Sequence, residues 1–116
     1  SVLLQREAIH RVRAFVRQSR AFSECVNDDI GNVCLLRVDP EVFPGTDIEL
    51  FELLCRHGIA VLPGNAFGLP ITCGHASFRM TLVHEPIESL VRRLERVDEV
   101  LTAHRHRPVA SPALHL

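Results

Sequence analysis

Lysine is missing from this chain: all 13 basic residues among its 116 are arginines. Without a side-chain amine it can offer no Schiff base, no phosphate-loop lysine and no lysine general base. Tyrosine and tryptophan are missing too, so neither ring is on hand to stack a nucleic-acid base. A formal net charge of -1 argues further against a general nucleic-acid-binding surface. No apolar run approaches the ~20 residues of a membrane span. The apolar start gives way at once to Gln5-Arg6-Glu7, so no signal peptide is read. The four cysteines, Cys25, Cys34, Cys55 and Cys73, form no C-x-x-C and no zinc-finger spacing. Cys34 and Cys55 lie in apolar runs and read as small core residues. That cysteine usage predicts a reducing, cytoplasmic setting.

What is present is an ordinary globular composition, 47% hydrophobic and 23% charged, of one-domain length. The chain begins with Ser rather than Met, which reads as a processed or excised piece. Residues Val2 to Val26 predict a helix, with Ala8 or Ile9, Val12, Phe15 or Val16, and Phe22 recurring at three- and four-residue steps. "NVCLLRVD", bounded by Gly31 and Pro40, predicts a buried strand. "TDIELFELLCRHG" predicts a second helix. Thr46 and Glu49 would form a capping box at its start, Ile48, Phe51, Leu54 and Cys55 would share a face, and Gly58 would end it in a left-handed cap.

"IAVLP" then reads as a strand stopped by Pro63-Gly64. In "ASFRMTLV", alternation puts Phe78, Met80 and Leu82 on one face and Ser77, Arg79 and Thr81 on the other. A last helix begins near Glu85, with Pro86 in its first turn and Ile87, Leu90, Val91, Leu94, Val97 or Asp98, and Leu101 in its apolar stripe. Residues 105–116, with two prolines and no period, predict a disordered tail. The order α-β-α-β-β-α predicts an α+β fold: a two-layer sandwich of a three-stranded sheet against helices over residues 1–104.

Several positions invite a chemical reading. Arg79, in mid-strand, is either a residue on a solvated face or a fixed guanidinium fork for a carboxylate. The loop "PGNAFG" is either an ordinary connection or one whose glycines, Gly64 and Gly68, allow close backbone approach. Cys73-Gly-His75 and His104-x-His106 supply no three-ligand spacing, so no metal is expected. The arginines of the first helix read as a solvated face, and Asp28-Asp29 as turn residues.

Two segments together carry a resemblance. "LFELLCRHGIAVLPGNAFG" followed by "HASFRMTLVHEPIESLVRRLERVDEVL" resembles the small C-terminal domain of class I/II pyridoxal-phosphate-dependent aminotransferases of fold type I. The matching positions are Gly58, Val61, Pro63, Gly64, Phe67, Gly68, Arg79, Met80 and Leu82, and the likeness covers about residues 50–101. Over residues 1–45 only the order of helix and strand agrees. The resemblance implies that Arg79 binds the substrate α-carboxylate and that Pro63, Gly64, Asn65, Phe67 and Gly68 shape the cleft. It implies α-amino acid and keto acid substrates, pyridoxal 5'-phosphate bound mainly by a large domain outside this chain, and a homodimer. No catalytic residue falls within the chain, because the family's Schiff-base lysine belongs to that large domain. A self-contained amino-acid-binding or regulatory module without catalysis is the alternative expectation.

Overall fold

Helix α1, Val2–Gln18, forms because its apolar residues recur on one stripe. Ala8, Ile9, Val12 and Val16 are all buried, and the arginines between them stay off that stripe. The helix ends where Ser19 takes over its last polar groups. The Ser19 amide donates to the Phe15 carbonyl, and its hydroxyl donates to Asp98 Oδ2 at 2.7 Å. That bond ties the end of α1 to the last helix. The structure, a computed structural model, describes residues 2–27, 33–64, 76–82 and 85–105. The predicted tail falls on 105–116, of which only Arg105 is described, as the last residue of a helix.

The chain then departs from expectation. Phe22–Asn27, whose first five residues were predicted as the end of the first helix, is strand β1. Phe22 and Val26 fit a helical period, and no Gly or Pro marks the break at 19–21. What decides the matter is tertiary. The Phe22 ring packs edge-on between Phe15 and Phe78, with centroids 6.1 and 5.9 Å away, and the strand pairs with β2, Val33–Val38. Among the described residues the sheet therefore has four antiparallel strands rather than three, in the order β1-β2-β4-β3. Here β3 is Leu62–Pro63 and β4 is Ser77–Thr81. The α+β expectation holds with this addition.

Strand β2 is buried on one face only. Cys34, Leu36 and Val38 are enclosed, while Val33 and Leu35 are half-buried and Arg37 is exposed. Phe78 and Met80 of β4, with Leu82 just past its end, are buried as predicted.

Helix α2, Asp47–Arg56, starts with both bonds of the predicted capping box. Glu49 N donates to Thr46 Oγ1 at 3.2 Å, and Thr46 N donates to Glu49 Oε1 at 2.9 Å. It ends at Gly58, whose φ of 73° lies in the left-handed region. The Gly58 and Ile59 amides donate back to the Cys55 and Leu54 carbonyls, a Schellman arrangement. The buried face is Leu50, Leu53 and Leu54, with Phe51 half-buried against the core, so Leu54 and Phe51 fall where predicted and Ile48 and Cys55 do not. Ile48 is exposed and Cys55 is on the surface, not in the core. The three leucines, at i, i+3 and i+4, form the more continuous stripe and remove more apolar area from water.

Helix α3, Ile87–Arg105, buries Leu90, Leu94, Val97, Val100 and Leu101 and packs beside α1. Pro86 caps it rather than entering its first turn, its carbonyl accepting from the Ser89 and Leu90 amides. Arg93 pairs with Glu85 at 2.7 Å just before the helix. One cluster joins the enclosed sheet face to all three helices. Among the described residues no helix is long and apolar enough to cross a membrane.

Candidate functional site

The side of the sheet away from this core carries the candidate site. The register aligns Val26, Leu35, Arg79 and Leu62 across all four strands, and residues directly opposite one another share a face. Val26 is 40% exposed and Leu62 48% exposed, so this row lies open and places Arg79 between aliphatic neighbours. The next row is Glu24, Arg37 and Ser77. There Arg37 meets Glu24 at 3.6 Å, with both side chains about half exposed, a pairing worth little in water.

Arg79 is half-buried. Its Nε donates to the carbonyl oxygen of Pro63 at 3.1 Å. The guanidinium is thus held by its inner edge, which fixes the plane of the fork relative to the sheet. A planar, oriented fork suits bidentate carboxylate recognition better than a mobile ammonium. The acceptor belongs to the Pro63-Gly64 turn, so the structure brings together two features that are 16 residues apart in the chain.

Gly64 is needed here for close approach. A Cβ at this position would run into the Ser77 hydroxyl oxygen and lie 2.9 Å from its Cβ. The Gly64 amide donates to the Ser77 carbonyl at 3.1 Å. Ser77 is held from its other side by Asp47, whose Oδ1 accepts from the Ser77 amide at 2.6 Å and from its hydroxyl at 3.2 Å. Asp47 is the first residue of α2, so the capped helix start also anchors the strand that carries Arg79. The support from Asp47 and the aliphatic row escaped the sequence reading. The only signal was an Asp directly after a capping threonine. Asn65, Phe67 and Gly68, together with Cys73, His75, Asp28 and Asp29, lie outside the described residues. His104 packs its ring 5.6 Å from that of Phe43, centroid to centroid.

Fold and site together define an α+β unit presenting one oriented arginine on an open sheet face. Comparison with known proteins adds one relative. The chain is 36% identical over 90 residues to the arginine–pyruvate transaminase AruH of Pseudomonas aeruginosa, over 70% of this chain and 22% of that protein. The match is therefore an aminotransferase-related region spanning about a fifth of the relative's length. A continuous stretch covering 70% of a 116-residue chain spans positions 36–81 wherever it begins, so Pro63, Gly64 and Arg79 fall inside it. No family model matches the chain, and no solved structure matches it significantly.

Proposed function

We propose that this chain is the substrate-carboxylate-binding part of an aminotransferase, the small C-terminal domain of a fold type I enzyme that uses pyridoxal 5'-phosphate. The observation that carries the reading is Arg79, oriented by the Pro63 carbonyl on an open apolar sheet face, within a region similar to a transaminase. Its role is positioning. The fork takes the α-carboxylate of an amino acid or keto acid and fixes the rotation of the substrate about its Cα, while the carboxylate passes through the reaction unchanged. Leu35, Leu62 and Val26 lower the polarity around that pair, which strengthens it relative to water. Pro63 and Gly64, with Asn65, Phe67 and Gly68 beyond them, would form one wall of the cleft.

The pyridoxal group does not fit the residues present. The chain has no lysine to hold it. In this reading the cofactor, its lysine and the reacting centre belong to polypeptide outside the sequence described, and the complete enzyme is a homodimer. A cytoplasmic setting agrees with the free thiols of Cys25, Cys34 and Cys55.

The test is Arg79→Ala in the complete protein. Loss of charge-assisted hydrogen bonds to a carboxylate is expected to lower kcat/KM for amino acids about 10- to 100-fold, chiefly through KM. Arg79→Lys should recover only part of this, because it restores charge without the fork. An amine substrate without a carboxylate should be indifferent to both changes. Unchanged kcat/KM for amino acids in Arg79→Ala would remove Arg79 from the site. A complete protein that binds amino acids but transfers no amino group would instead be a binding module.

A further inference from the structure

Two thiols sit together on the sheet face opposite to Arg79. In the β1–β2 ladder Cys25 lies opposite Leu36, and Asn27 lies opposite Cys34. Cys25 and Cys34 are therefore diagonal neighbours on one face of adjacent strands. Cys34 is fully enclosed in the core. Cys25 is half-buried at the core's margin, within reach of the Arg13 guanidinium on α1. Both are free thiols. We propose that Cys25 and Cys34 form a peroxide-sensitive dithiol, with Cys25 the attacking sulfur and Cys34 the resolving one.

The environments of the two sulfurs divide these roles. A hydrogen bond from the Cys34 thiol holds Cys25 below the usual thiol range. Burial opposes this, Arg13 adds to it, and the Glu24 charge works against it. The same hydrogen bond, together with burial, pushes Cys34 upward. Cys25 is thus the readier of the two to give up its proton, and Cys34 holds its own more firmly. In the first step the Cys25 thiolate attacks one oxygen of a hydroperoxide. The S–O bond forms, the O–O bond breaks, and the departing hydroxide or alkoxide takes up a proton. In the second step the Cys34 sulfur attacks the sulfenic sulfur, and hydroxide leaves with the Cys34 proton as water. Two electrons pass from the thiols to the peroxide, leaving a cross-strand disulfide. Diagonal neighbours start about 7–8 Å apart at Cα, and a disulfide usually needs less than about 7 Å. The edge strand β1 must therefore draw inward slightly. Among the described residues it is paired on one side only, and it already carries a register shift between Phe22 and Glu24.

The sequence makes the experiment direct. Trypsin cuts after Arg20 and Arg37 and releases 21–37 with Cys25 and Cys34 as its only cysteines. The intact chain is treated with hydrogen peroxide, alkylated and digested. The expected 21–37 peptide is lighter by two hydrogen atoms and carries no alkyl group, and prior denaturation abolishes this product. In Cys34→Ser, dimedone should trap a sulfenic acid on Cys25. Arg13→Gln should slow oxidation of Cys25 severalfold while leaving the exposed Cys55 unaffected. Recovery of 21–37 with both thiols alkylated, while Cys55 is oxidised, would overturn the proposal. The wild-type peptide decides this even if Cys34→Ser fails to fold.

Discussion

At Gly64 two strands come so close that a methyl group would collide with the Ser77 hydroxyl. Gly64→Ala is therefore expected to destabilise the chain by about 1–3 kcal/mol, as overpacking does in a filled interior, read as a lower denaturant midpoint. Combining it with Ser77→Gly removes the hydroxyl and the Cβ from the collision. Part of the loss should then return, although the Ser77 backbone carbon would still stand 3.0 Å away. A double variant no better than the sum of the two single changes would show that the close approach is not the cause. In the complete protein Gly64→Ala should also weaken amino-acid binding, because Pro63, whose carbonyl orients Arg79, is the preceding residue.

The elements differ in how far their residues announced them. Helix α2 was legible end to end, because its stop and start signals are local: a hydroxyl, a carboxylate three residues on, and a glycine. Thr46→Ala should cost about 1 kcal/mol, and Thr46→Ser should keep most of that, both measured by chemical denaturation. No difference between the two would mean that the cap bonds do not stabilise the helix. Which of its faces is buried was not legible, since Ile48 and Cys55 compete on paper with Leu50 and Leu53 and only the assembled core chooses. Strand β1 was hidden for a related reason. Phe22 and Val26 satisfy a helical period, and the pairing that makes them a strand is with residues from position 33 onward. Arg79 could be assigned to a face by alternation, but its bond to the Pro63 carbonyl could not be foreseen, because it depends on how β3 pairs with β4. The Asp47 anchor and the aliphatic row could not be, because they depend on strand order.

For the whole molecule, the absent lysine sets a firm expectation. Equilibrium dialysis of this chain alone against pyridoxal phosphate should show no tight retention, while the complete protein should retain the group. Stoichiometric retention by the chain alone would mean that the cofactor half has been placed wrongly. The sheet order has a kinetic consequence. Strand β2 has one neighbour, β1, that ends six positions before it begins, and another, β4, that begins only after α2 and β3. Closing the short connection costs less chain entropy than closing the long one. The β1–β2 hairpin is thus expected to appear first, within about 1–10 μs, and β4 to join in the slower, rate-setting step. Replacements that weaken the β1–β2 hairpin or its pairing with β4 would then slow refolding, whereas those that remove contacts completed after that step would chiefly hasten unfolding.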